Sequence, residues 1–263
     1  MTTKKEIFAQ LEKMNAPRDS VVLMHTSLRA VGETEGRGQG LLEVLIDYFT
    51  GEGGLFCVPT HTWSNIGAKA PITMDMSCYE TCIGTLPNIA AAHPAAHRSA
   101  HPSHSMAVFG EDEKAEAFIA DEAFVRTPCS VKGCYGKIYD MGGKILLVGV
   151  GQDNNTYLHS AEERLDVPGR VSKEVVPMTV RLKNGELLHG MHHHHEGNPS
   201  AYFHKMEPAF RAHGLITDGF VGKAPSTLCD ARGMYEVLKK VWENAGRRDL
   251  FADDDPLAEE WYR

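Results

Sequence analysis

His159, Glu162 and Glu163 stand within five residues of one another in the stretch Tyr157–Arg164, YLHSAEER. A histidine titrates near neutrality, and a nearby carboxylate can orient it, so this grouping can move a proton during a reaction. On a helix, Glu162 lies three residues on and shares the face of His159. The surrounding sequence supplies that helix. Lys144–Val150 is a short, β-branched apolar run suited to a strand buried on both faces. Gly151–Asn154 is turn chemistry, and Asn155 or Thr156 can cap a helix running to about Arg164. His159 is thereby placed just past the carboxyl end of a buried strand, the edge where open α/β sheets bind ligands.

Three further groups could do chemistry. His25-Thr26-Ser27-Leu28-Arg29-Ala30-Val31-Gly32 follows an apolar run; its backbone N–H groups and hydroxyls could cradle an anion or amide, or form a plain turn. Arg98–Ser105 packs a guanidinium, two imidazoles (His101, His104) and three hydroxyls (Ser99, Ser103, Ser105) into eight residues. Fixed donors of this kind suit phosphate groups better than zinc, since no acidic or cysteine ligand is adjacent. The run His192–His195, followed by Glu196, could bind a divalent metal, because alternate residues of a strand share a face. Glu196 could equally orient the base or meet a substrate amine.

The remaining chain must position these groups. Ile7, Leu11 and Met14 make the stripe of a surface helix over 3–15. Ser20–His25 and Gly54–Thr60 are predicted as buried strands, with a helix over Leu41–Phe49 between them. The segment 61–104 reads as a long loop with a helix near Gly84–Ala92, and loops of that length are usually functional. A strand over Ser105–Phe109, a helix over Asp112–Ala120, a helix starting at Asn198-Pro199 and a last helix over Asp230–Asn244 follow. Asn184-Gly185 between Val175–Leu182 and Glu186–Met191 is a strong hairpin signal, expected to add antiparallel strands to the sheet. The predicted fold is α/β: one three-layer domain over 1–263, with a central, mostly parallel mixed sheet, antiparallel hairpin additions and helices on both faces.

The formal net charge of -8 argues against a broad nucleic-acid or membrane footprint and is compatible with a cationic small-molecule partner. No apolar run approaches a membrane span. The amphipathic N-terminus is not a signal peptide, and six cysteines without a CxxC pair read as reduced thiols, so a cytoplasmic location is expected.

Five motifs in one order, VVLMHTSLRAVG (21–32), GGLFCVPTHTWS (53–64), HRSAHPSHSMAVFG (97–110), YGKIYDMGGKILLVGVG (135–151) and NNTYLHSAEER (154–164), give the chain a second reading. It resembles the aminoglycoside 3-N-acetyltransferases, the antibiotic N-acetyltransferases, over nearly its whole length. The resemblance implies an antibiotic-resistance acyltransferase with acetyl-CoA as donor, no required metal, and the 3-amino group of a 2-deoxystreptamine antibiotic as acceptor. It implies His159 as general base with Glu162 and Glu196 as supporting acidic groups, and His25–Gly32 along the pantetheine arm. Arg98, Ser99, His104, Ser105 and Tyr135 would contact the rest of the cofactor. His61, Trp63, Asp153, Asn155, Thr156 and Glu163 would face the acceptor. The chain would act as a monomer or homodimer. Two stretches depart from the family pattern: Asn88 and Ala92 replace a glutamate and an arginine after Gly84–Pro87, and the usually acidic stretch past the hairpin here reads HGMHHHHEG.

Overall fold

The computed structural model describes residues 1–67 and 72–263. Its elements in chain order are α1 (Lys4–Lys13), β1 (Val21–Thr26), α2 (Leu28–Val31), α3 (Arg37–Thr50), β2 (Leu55–Pro59), β3 (Met74–Asp75), α4 (Thr85–Ala92), β4 (His97–Arg98), β5 (Met106–Phe109) and α5 (Asp112–Ile119). They continue with α6 (Cys134–Asp140), β6 (Lys144–Val148), α7 (Tyr157–Arg164), β7 (Val176–Arg181), β8 (Leu187–His192), α8 (Glu207–Ala212), β9 (Ile216–Val221), β10 (Ala224–Asp230) and α9 (Ala231–Asn244).

Seven strands form the central sheet in the order β4-β5-β2-β1-β6-β10-β9. Their period of two separates the core into two layers. Val21 and Leu23 of β1 pack with Ile145, Leu147 and the apolar faces of α6, α7 and α9. Val22 and Met24 pack on the opposite side with Leu146, Val148 and residues of α1, α3 and α4. This is the expected α/β fold with helices on both faces of a mixed sheet. The parallel part is its centre, where β1 pairs with β2 and with β6. The pairings outward of these three strands are antiparallel.

The predicted hairpin forms, with β7 and β8 in antiparallel register, but it does not join the central sheet. It makes a separate three-stranded sheet with β3, which runs parallel to β7. The antiparallel addition to the central sheet is instead β9–β10, turned at Gly222-Lys223. Gly222 has φ +63°, and a Cβ there would lie 2.7 Å from the Val31 carbonyl oxygen, so a two-residue turn opening on glycine is required. The acidic C-terminal stretch ADDDPLAEEWYR (252–263) is anchored: Lys205 Nζ donates to the carbonyls of Leu250 and Asp253, and Tyr262 is buried. Of the long loop expected over 61–104, residues 68–71 lie outside the described residues.

Candidate active site

The carboxyl ends of β1, β2 and β6 open into one cavity of about 570 Å³, lined among others by His25, Thr26, His61, His104, Asn155, Thr156, His159 and His195. Each central strand delivers its ligand-facing residues there as it leaves the sheet. After β6 the chain bends at Gly149, whose φ is +63° and whose Cβ would meet the Ala30 Cβ at 2.4 Å. Asn155 then starts α7, its Oδ1 accepting the Tyr157 backbone N–H (3.2 Å) while its Nδ2 donates to Gln152 Oε1 (2.9 Å). His159 is thus fixed on the first turn of α7 with its ring at the cavity wall.

The ring is held on three sides. It stacks on His195, centroids 4.2 Å apart at 28°. It meets the edge of Phe203 at 4.8 Å. Its Nδ1 lies 3.5 Å from Glu162 Oε2. That Glu162 oxygen has no hydrogen-bond partner among the described residues, whereas Glu162 Oε1 accepts from Arg170 Nε at 2.5 Å. Arg170 Nη1 in turn donates to Asp249 Oδ2 at 3.0 Å. Burial lowers His159 to about 4, against the opposing pull of Glu163, so the neutral imidazole that can accept a proton is the favoured form. Burial also pushes Glu162 up to about 7, with the Arg170 guanidinium acting against that rise.

More imidazoles continue from this ring. His195 lies 5.1 Å from His104, and His104 lies 4.5 Å from His61, centroid to centroid. His61 Nε2 and the Tyr135 hydroxyl are 2.6 Å apart. Burial lowers His25 to about 3 and His195 to about 4, and holds His61 and His104 well below the usual histidine range. The cluster is therefore uncharged at neutral pH, and its members act through hydrogen bonds and ring faces.

The residues expected to do chemistry separate into two groups. His25, Thr26, His61, Trp63, His104, Asp153, Asn155, Thr156 and His159 line the cavity. His25 Nε2 and Thr26 Oγ1 are buried without a hydrogen-bond partner among the described residues, which leaves both atoms available to a polar ligand. The others lie elsewhere. Ser27 caps the one-turn helix α2 through the Ala30 N–H, Val31 is in the core, Arg29 and Gly32 are exposed, and Leu28 and Ala30 pack against the α3 side of the core. Arg98 is buried, donating to the carbonyls of Thr60 (3.3 Å) and Cys78 (2.8 Å), so its guanidinium ties two loops together instead of meeting a phosphate. Ser99 Oγ accepts the Met106 N–H and Ser105 Oγ donates to the Thr60 carbonyl, leaving both hydroxyls committed to backbone. Tyr135 is buried behind His61. Glu163 Oε1 accepts the Cys129 N–H (2.8 Å) and pairs with His195 Nε2 (3.3 Å), off the cavity surface. Glu196 is exposed, because the chain leaves strand geometry after His192 and turns this side chain outward.

That same turn separates the histidine run. His192 packs near His101, His193 Nδ1 meets the Ser172 carbonyl, and His194 and His195 line the cavity. The one grouping of potential metal ligands among the described residues is Cys129, Glu163 and His195, whose ligand atoms lie within 4.8 Å of one another. Sequence reasoning did not place Arg170, Asp249 or Phe203 at the site. Arg170 follows Glu162 by eight residues without a motif, and Asp249 belongs to a tail that carries no pattern.

The model of the family described as aminoglycoside 3-N-acetyltransferase matches residues 23–243. Aminoglycoside N(3)-acetyltransferase IV of a Salmonella species is 32% identical over 192 residues, which is 70% of this chain and 66% of that enzyme, just under two thirds of its length. The crystal structure of apo AAC(3)-IVa superposes with a TM-score of 0.74 at 25% identity, covering 95% of this chain and 91% of that one. A variant of that enzyme, solved in complex with a gentamicin, superposes equally well, at 0.74 and 25% identity over 96% of each chain. AAC-IIIb, solved as a binary complex with CoASH, shares the fold, with a TM-score of 0.74 at 22% identity over 89% of this chain and 94% of that one. With most of its length matched by the family model, this chain belongs to the aminoglycoside 3-N-acetyltransferase family.

Proposed function

We propose that the chain transfers an acetyl group from acetyl-CoA directly to a primary amine, with His159 as general base. The observation that carries this reading is a neutral imidazole on the cavity wall, stacked on His195, with its Nδ1 3.5 Å from the unpartnered oxygen of buried Glu162. An amine attacking a thioester must shed a proton, and a positioned imidazole can take it. The nitrogen forms a bond to the carbonyl carbon, the C–S bond breaks, and the thiolate leaves with the proton returned by His159. Glu162 steadies the ring and meets the imidazolium charge as it forms, while Arg170 and Asp249 hold Glu162 in place. His25 Nε2 and Thr26 Oγ1 are free to meet the polar groups of the acetyl donor. The cysteines at the core, such as Cys57 and Cys134, are buried with thiols pushed up by burial, which favours direct transfer over an acyl-cysteine step.

The acceptors named for the relatives are aminoglycosides, and the 3-amino group of a 2-deoxystreptamine drug is the first acceptor to test. His159→Ala is expected to abolish acetyl-CoA-dependent thiol release while leaving acetyl-CoA binding within a few-fold by calorimetry. Retained turnover in that variant overturns the base assignment. A different amine as acceptor is the second reading, favoured by the scarcity of carboxylates on the cavity wall.

A further inference from the structure

A cavity that holds polycations needs anions on its wall, and this wall is nearly free of them. Among the described residues lining it, Asp153 is the one carboxylate. It is already engaged: its Oδ1 accepts the His204 backbone N–H at 2.7 Å and lies 3.0 Å from His204 Nδ1. The other carboxylates near the base face away. Glu162 is bound to Arg170, Glu163 to the Cys129 backbone and His195, and Glu196 is exposed outside the cavity.

Two surfaces take the place of charge. Beside His159 stand His61, His104 and His195, imidazoles withdrawn from solvent that offer single hydrogen bonds. Facing them is an apolar wall that includes Ile66, Ile83, Leu86 and Val176, together with Trp63, which is 46% exposed and presents a flat ring to a ligand. The cavity also has to admit the acetyl end of the donor, which takes up part of its about 570 Å³.

Resting on the amine-acetylation reading above, we propose that the acceptor is a molecule with one amine, its remaining surface uncharged and partly apolar. The reacting amine enters the chemistry unprotonated, so it needs no counter-charge. Each additional ammonium would give up part of its water on entry and meet only Asp153, already paired with His204, which disfavours polyamines.

Thiol release at saturating acetyl-CoA tests this with four probes: 2-phenylethylamine and glucosamine (one amine each), 2-deoxystreptamine (two) and neamine (four). The expected result is a fall in kcat/KM with amine count, at least tenfold between the better one-amine probe and neamine. A value for neamine equal to or above both one-amine probes overturns the proposal. Asn198→Asp places a carboxylate on the cavity rim with little change of shape, and is expected to raise the neamine-to-phenylethylamine ratio about tenfold; His194→Glu repeats the test from the neighbouring strand end. An unchanged ratio in both folded variants overturns it as well. Calorimetry of acetyl-CoA separates the two readings. Donor binding without release to any one-amine probe overturns the acceptor class alone, whereas no donor binding overturns the functional reading and this inference together.

Discussion

The two sides of the His159 ring differ in how they handle charge. Behind it, Glu162, Arg170 and Asp249 form a continuous ionic chain, and Glu163 is bound to Cys129 and His195. In front of it, the cavity shows neutral imidazoles, apolar side chains and one engaged carboxylate. Around His159, charge is therefore committed to holding the ring. A buried ion pair contributes little net stability over an apolar substitute, but removing one partner strands the other. The rear side is rigid because each charge has a fixed partner, and the front side stays free of charges that would demand one.

Arg170→Met tests the rear side with the largest expected effect. It leaves Glu162 buried without its cation, and costs about 3–5 kcal/mol, as breaking a buried pair does. Denaturant unfolding checks the loss, and acetyl transfer is expected to fall with it. A cost below about 1 kcal/mol would mean that the ionic chain does not hold Glu162.

Acidification tests the imidazoles of the front side together with those packed behind them. Seven histidines, at 25, 61, 101, 104, 159, 192 and 195, have pKa values lowered by burial. Their ordinary value is near 6.5, so below that pH the unfolded chain binds protons that the folded chain refuses. Stability is then fully present above about pH 6.5 and is lost as pH falls toward 4. Glu122 and Glu162, raised to about 7 by burial, act in the opposite sense over about pH 4.5–7, because the folded chain holds the proton there. Seven groups outweigh two. The net slope is on the order of a few kcal/mol per pH unit below about pH 6. Thermal melting is expected to drop steeply between about pH 6.5 and 5, and a flat profile would mean that the imidazoles are solvated.

The same contrast sets what was legible in the sequence. The central strands are read directly because each is a short, continuous apolar run buried on both faces, as Val21–His25 and Lys144–Val148 are. The placement of His159 follows from strand, turn and helix in succession, all local signals. β9 and β10 escaped because they carry polar residues such as Asp218 and Ser226 and β9 lies at the sheet edge, although Gly222-Lys223 was a readable turn. Residue type could not say which way Arg98 points. A guanidinium among serines suits a phosphate, but here backbone carbonyls take its donors. Arg170 and Asp249 reach Glu162 through tertiary contacts separated by up to 79 residues in sequence, which no motif encodes.

Glu196 gives the smallest expected effect and the sharpest check on which carboxylate serves the base. From sequence, Glu162 and Glu196 are equal candidates. In the fold Glu162 is 1% exposed and its free oxygen lies 3.5 Å from His159 Nδ1, while Glu196 is exposed, its backbone N–H bonded to the Arg170 carbonyl. Removing its charge should leave kcat and KM within about twofold and stability within about 0.5 kcal/mol, as for an unpaired surface group. Glu162→Gln keeps the shape but removes the charge proposed to meet the imidazolium, and a loss of kcat of roughly 10–100-fold is expected, an effect of about 1.4–2.7 kcal/mol. If Glu196→Gln instead costs as much as Glu162→Gln, the hairpin end must swing its carboxylate into the cavity when the acceptor binds, and the uncharged front wall would hold only for the empty enzyme.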